Sequence, residues 1–509
     1  MCGLWSVVVM AEQGGGRDML WQGTGRCRVV FFVVALVCCC GLNPVRGVAG
    51  ALQAADEFTV PDLTADEQRV LQTIEAGDVL ATVSFLAADE LAGRDTPSKE
   101  LEIASAYVAA RFRGAGLEGL AGNGSFYQVQ EMPRYFAPNG PVSLVTAASP
   151  QGVAGCVALG GGDAAVDLRG VVSADAAGRE LRGAIVVVDE PPLPPAAAEN
   201  PAVAALSVAR RAAPLVARGA AAVLIRTAAD GVLSEAVQRL RAESVALPQQ
   251  LSLPVVLIPA DADLAGEVRL SVPPRRRESE QVRNVVGVLR GADPGLSAEA
   301  IIITAHLDHI GRAAGDRQGD VIFNGADDNA TGVTAVVTLA AAFGRLQPRP
   351  ARSVVFMTFW GEEKGLLGSK AWCEQPLWPL EKTVANINIE MIGRPEEGAA
   401  EKMWGTGWTR SSLGPQLAAG ARRAGVEVFH REDVSEMLYA RSDNYSFVQK
   451  GVIAHSFSAG SLHQDYHQLT DEYTRLNLPH MTRIIQGLFA GALPLARGEL
   501  TPTKSAPAK

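Results

Sequence analysis

The sequence predicts an α/β fold: a mixed, mostly parallel sheet sandwiched by helices. Three features point to it. From Val282 onward, short β-rich apolar runs alternate with Ala- and Val-rich helical stretches, the order that builds a largely parallel sheet covered on both faces. One run, Ala300 to Ala305, carries three consecutive isoleucines, as a fully buried strand does. Short clusters of His, Asp and Glu directly follow most of these runs. In open α/β sheets, that strand end is where ligands and chemistry collect.

Length and composition set the outer limits. The chain has 509 residues, enough for two or three domains at roughly 150 residues each. Apolar residues make up 48% and charged residues 20%, which fits a large core and excludes a mainly disordered protein. The formal net charge is −9, and no basic stripe with interleaved aromatics occurs, so nucleic acid is excluded as a partner.

Residues 1–51 have the pattern of an export signal. Arg26 and Arg28 precede an apolar run from Val29 to Cys40, and Ala49-Gly50-Ala51 supplies small residues for cleavage. Twelve apolar residues are short for a bilayer span. An uncleaved anchor is the alternative, and a membrane is expected as a partner only through such an N-terminal anchor. Met19 is an alternative start that would give a more ordinary leader. Five of the seven cysteines lie in this leader; Cys156 and Cys373 remain and are read as two lone thiols in different domains.

Residues 52–139 are expected to form an N-terminal helical part of the main domain. They begin with a polar, acidic lead-in to about residue 75. Val79, Val83, Leu86 and Leu91 then share one helical face, and a second amphipathic helix carries Ala104, Val108 and Phe112 before Gly114-Ala115-Gly116 ends it. Residues 140–275 change composition to Ala, Val, Gly and Pro and contain no His. Strands are expected at Ala184–Asp189, Ala221–Ile225 and Pro254–Ile258, with a helix over Val208–Arg218 ended by Gly219. This is read as a small β-rich insert. Pro273-Pro274 and the charged run Arg275–Glu280 are read as the linker that returns from it.

The main domain, 276–496, then proceeds as strand Asn284–Leu289, strand Ala300–Ala305, helix Thr331–Phe343 and strand Ser353–Phe359. A helix starting near Lys370, strand Val384–Ile389, helix Leu413–Ala424, strand Val452–Phe457 and a closing helix Met481–Leu493 follow. Residues 497–509 are expected to be a disordered tail.

The clusters supply the ligand types zinc accepts, imidazole nitrogen and carboxylate oxygen. His306 ends the Ile-rich strand, and Asp308 two residues on can accept from its second ring nitrogen and so orient it. Asp327-Asp328 opens the helix that starts near Thr331. Glu362-Glu363 follows Phe359-Trp360-Gly361, where adjacent side chains point apart: one can hold metal while its neighbour faces a water. Glu390 follows Asn386-Ile387-Asn388-Ile389, where an unpaired buried carboxylate would be costly. His467 closes the set. Each cluster alone has a plainer reading: a buried structural histidine, a helix N-cap, a solvated turn. Together, in this order, they predict a hydrolytic centre with two zinc ions that share a carboxylate.

The same residues carry a family resemblance. Gly325-Ala326-Asp327-Asp328-Asn329-Ala330-Thr331-Gly332, Glu362-Glu363-Lys364-Gly365-Leu366-Leu367-Gly368-Ser369, Ser442-Asp443-Asn444-Tyr445-Ser446-Phe447 and Asp465-Tyr466-His467 resemble the zinc-dependent aminopeptidases grouped with glutamate carboxypeptidase II. Phe85 to Arg94 resembles that family's N-terminal segment, and the β-rich insert resembles its protease-associated domain. The resemblance implies an exported two-zinc exopeptidase acting on peptide substrates. Asp328 would bridge both ions, His306 and Glu390 would complete one and Glu363 and His467 the other. Glu362 would be the general base, and Tyr466 would hydrogen-bond the oxyanion. The resemblance also implies a cis peptide after Asp328, and it leaves a pocket-lining role open for the loop Trp404–Trp408. Many members carry Asp where this chain has Glu390, which leaves aminopeptidase versus carboxypeptidase or dipeptidase preference open. Two further rivals on the same scaffold are a glutaminyl cyclase-like acyltransferase and a non-catalytic receptor-like ectodomain.

Overall fold

The computed structural model describes residues 58–505 apart from 176–179, 195–196, 198–200, 229–230, 243–250, 252, 314–318 and 461. The predicted leader therefore lies outside the described residues. Among the described residues, sixteen strands form two sheets.

The larger sheet has nine strands. They are β1 (Glu118–Gly119), β2 (Tyr127–Phe136), β10 (Arg276–Leu289), β11 (Ala300–His306), β12 (Ser353–Phe359), β13 (Thr383–Ile389), β14 (Lys402–Gly405), β15 (Glu427–His430) and β16 (Ala454–Ser458). The order is β1-β10-β12-β11-β13-β16-β14-β15, with β2 also on β10. Strands β12, β11, β13 and β16 run parallel in the centre, and β10 and β14 flank them antiparallel.

Both faces of the centre are covered, which is why the isoleucine run needs no polar alternation. Ile301, Ile303, Val354, Phe356 and Ile387 pack toward helices Thr331–Gly344 and Leu478–Ala496. Ile302, Val355, Met357 and Phe359 face the opposite way, against Trp372 and Phe447. Because His306 pairs with Phe359 and Ile389 with Phe457, these strands end nearly level. Whatever follows them shares one edge.

The second sheet joins β3 (Ser143–Val145), β4 (Val157–Gly160), β5 (Val166–Ala174), β6 (Ile185–Asp189), β7 (Ala222–Thr227), β8 (Val255–Pro259) and β9 (Glu267–Val272) in the order β3-β9-β5-β6-β7-β8-β4. Val186, Val188, Val223 and Ile225 face helices Pro201–Ala217 and Val232–Ala242, while Ile185 and Leu224 face the other side with Val256 and Leu270. Successive strand residues thus serve two small cores.

Several expectations are corrected. Arg276–Glu280 is strand rather than linker. It belongs to the fourteen-residue β10, whose first ten residues pair with all of β2, so the polar side chains stand on a two-stranded ribbon that has no second layer to bury them. The lead-in contains a helix, Ala65–Gln72, started by a reciprocal Thr64–Glu67 capping box. The helix expected from Val208 begins at Pro201, a position where proline's missing N–H costs nothing. The helix expected near Lys370 begins at Leu367. Residues 497–505 are ordered. The buried Arg352 guanidinium needs acceptors and finds them at the Leu495 and Leu500 carbonyls and Thr501 Oγ1, each 2.8 Å away. Cys156 and Cys373 are both free thiols.

His455, on β16, is 1% exposed. It makes one side-chain hydrogen bond, 2.6 Å to Ser411 Oγ. Burial holds its pKa down at about 4, against an ordinary 6.5. As pH falls from 6.5 toward 4, the unfolded chain takes up a proton that the folded chain refuses. Stability present above that window is therefore lost within it, by about 3 kcal/mol. His455→Gln is expected to flatten this part of a urea-denaturation pH profile. An unchanged slope would contradict the assignment.

Candidate metal centre

The acidic and imidazole side chains meet at the C-terminal edge of β11, β12 and β13. Asp328 lies between two groups of donors. Its Oδ1 is 3.2 Å from His306 Nε2, and that nitrogen is 3.2 Å from Glu390 Oε2. Its Oδ2 is 3.1 Å from His467 Nε2, which is 3.2 Å from Glu363 Oε1. His309 Nδ1 reaches the same Glu363 oxygen at 3.0 Å. The donors therefore form two sets, His306–Asp328–Glu390 and His309–Asp328–Glu363–His467, each with ligand atoms within 4.8 Å of one another. All five residues expected as ligands come together here. His309 joins them unanticipated, although the text His306-Leu307-Asp308-His309 carried the signal.

Local sequence explains the convergence. Gly325 has φ +57, and a Cβ there would lie 2.4 Å from His309 Cγ; only glycine lets that ring sit under the Asp327-Asp328 turn. A Cβ on Gly332 would lie 2.3 Å from Asn329 Oδ1. The Asp328–Asn329 peptide is cis. Asn329 Nδ2 donates to Ile389 O and to Glu390 Oε2, both at 2.8 Å. Asn388 Nδ2 and Ser442 Oγ donate to the other Glu390 oxygen, so three neutral donors aim this carboxylate. The Asp327 and Asp328 amides donate to Asp471. Asp327 in turn accepts from Gly393 N at 2.7 Å and meets His463 Nε2 at 3.1 Å, which ties the His467 segment to the helix start.

Asp308 is placed differently from the expectation. The second nitrogen of His306 faces the Asp308 backbone carbonyl at 3.1 Å, and the carboxylate is 3.9 Å away. Asp308 Oδ1 instead accepts from the Glu362 amide at 3.1 Å. One residue thus orients His306 through its backbone and the Glu362 turn through its side chain. Burial raises the Asp308 carboxyl to about 6.

Glu362 projects into a cleft of 680 Å³ that is also lined by His306, Asp328, Glu363, Glu390, His467 and Tyr466. Burial, reinforced by Asp443, Glu390 and Glu363 against the opposing His306, raises its carboxyl well above the usual range. Burial likewise pushes the Asp443 carboxyl up to about 8. Tyr466 stacks on the His467 ring at 3.9 Å between centroids. The cleft lining also includes the apolar side chains of Leu366, Met391, Trp404, Val434, Leu438 and Leu462. Trp404 thus lines the cleft, while Trp408 is buried and stacks on His430.

Arg94 is the other residue the sequence left unassigned. It is 1% exposed, and its guanidinium donates to four backbone carbonyls: Leu86, Leu307, Asn324 and Gly325. It therefore fastens the His306–His309 loop to the Asp327-Asp328 turn and sets a buried cation behind the acids. Arg94→Ala is expected to leave those carbonyls unpaired and cost about 3–5 kcal/mol, measured by chemical denaturation. A loss under about 1 kcal/mol would contradict this role.

The donor chemistry fits a metal. His467 Nε2 is buried within 3.2 Å of two carboxylate oxygens yet hydrogen-bonds to neither. Its geometry suits convergence on a common ion better than direct pairing.

An α/β sheet whose strand ends gather overlapping imidazole–carboxylate sets around one shared aspartate defines a metallohydrolase type of site. The model of peptidase family M28 matches residues 284–491. The chain is 34% identical over 112 residues to a probable glutamate carboxypeptidase of Arthroderma benhamiae, covering 21% of this chain and 14% of that protein. It is 32% identical over 123 residues to a probable zinc metalloprotease of Pyrenophora teres f. teres, covering 24% of this chain and 25% of that one. These matches span a quarter or less of the relatives' lengths. Among solved structures, an aminopeptidase from Aneurinibacillus sp. strain AM-1 shares the fold, with TM-score 0.50 and 20% identity over 85% of this chain and 96% of that one.

Proposed function

We propose that this protein is an exported two-zinc exopeptidase that removes N-terminal residues from peptides. The observation that carries the reading is Asp328, which offers one carboxylate oxygen to each of two donor sets. A shared carboxylate is what a co-catalytic pair requires. The basic–apolar–small pattern of residues 26–51 supports export, and the separate sheet β3–β9 between β2 and β10 supports a protease-associated-like insert.

Zinc on these donors would supply Lewis acidity, lowering the pKa of a cleft water toward about 7 and polarising the scissile carbonyl. The protein does the rest. Glu362, ionised, takes the proton from that water and returns it to the leaving amine. The Tyr466 hydroxyl donates to the oxygen on which charge develops. Asp308 holds the Glu362 turn in place through the Glu362 amide. The apolar residues that line the cleft accept the substrate side chain.

A panel of aminoacyl-nitroanilides and their N-acetylated counterparts tests this, run on chelated and zinc-restored protein. The reading expects hydrolysis of the free-amine substrates only, lost on chelation and restored by zinc. Cleavage of N-acetylated peptides from the carboxyl end would instead support the carboxypeptidase rival, and no turnover with zinc bound would sink the peptidase reading.

A further inference from the structure

His309 is absent from the ligand set that the family resemblance implies, yet it occupies a ligand's position. Its ring is fully buried, with Nδ1 3.0 Å from Glu363 Oε1 and 3.9 Å from Asp328 Oδ2. His467 Nε2 approaches the same two oxygens at 3.2 and 3.1 Å. The two rings meet edge to face from different loops, with centroids 5.4 Å apart. On the other side of Asp328, three donors gather among the described residues: His306, Asp328 and Glu390. Gly325 supplies an independent observation, since any side chain there would collide with the His309 ring.

We infer that His309 is a fourth protein ligand on one side of the metal pair, so that the two sites are unequal. The inference rests on the two-zinc reading above. Zinc held by four protein donors is characteristic of structural sites, whereas catalytic zinc keeps a position for water. The set of His309, Asp328, Glu363 and His467 would therefore bind its ion more tightly and leave it closed. The set of His306, Asp328 and Glu390 would keep the room for water and substrate, beside Glu362 in the cleft.

The bland alternative is that His309 only donates Nδ1–H to Glu363 and positions it. Affinity alone does not separate these roles, because an outer-shell partner also costs about 10–100-fold in metal binding when removed. The ligand count does separate them. Full-length protein is loaded with two equivalents of zinc, and imidazole scattering is counted by X-ray absorption at the zinc edge. Three imidazoles per zinc pair in the wild type, falling to two in His309→Ala, are expected. Two in the wild type would overturn the inference, and that measurement needs no variant to fold. Failure of the wild type to take up two ions would overturn the two-zinc reading underneath instead.

Discussion

Asp328→Ala is expected to remove both ions and all measurable hydrolysis together. Asp328 is 4% exposed, and each of its oxygens serves a different donor set. Without it, His306 and Glu390 keep two donors on one side, and His309, Glu363 and His467 keep three on the other. Neither remainder has a shared carboxylate to hold two cations in one cleft against their mutual repulsion. The expected metal content falls from two to less than one per chain at micromolar zinc, and activity drops by more than about 10⁴-fold, toward the uncatalysed rate. Elemental analysis and nitroanilide turnover on the same sample check both. Retention of two ions by the Ala variant would show that Asp328 does not bridge.

Glu362→Gln separates chemistry from binding. The substitution keeps shape and removes only the ability to take a proton. Glu362 belongs to neither donor set among the described residues, so metal content should stay at two. The rate should fall by about 10²–10⁴-fold, the usual contribution of a general base. The sign of the pH dependence follows from the burial-raised carboxyl. A base must be ionised to act, so wild-type kcat/KM should decline as pH falls through its pKa. The Gln variant should lack that acid limb. Near-normal turnover in Glu362→Gln would assign the base elsewhere.

The sequence made the centre of the fold legible because burial on both faces imposes a clear signature. The Ile-Ile-Ile run of β11 and the Val-rich β12 could be strands of only one kind. The ligand clusters were legible because they occur together, most of them directly after such strands. The ribbon of β2 and β10 was not, since Arg276–Glu280 are exposed strand residues whose partner lies about 140 residues earlier, and nothing local announces a long-range ladder. Residues 497–505 looked like a tail because their order depends on Arg352, far away in the chain. Arg94 and His309 escaped for a related reason. Each acts through backbone carbonyls or a loop approach that no spacing rule encodes. Asp308 shows the finer limit: its place beside His306 was readable, but whether backbone or carboxylate does the orienting is decided by the Glu362 amide across the cleft.

The most direct test is an anomalous difference map from crystals grown with zinc. The account predicts two peaks per chain, one on each side of the Asp328 carboxylate, with His306 and Glu390 at one and Glu363 and His467 at the other. A single peak, or a pair that does not share Asp328, would contradict it.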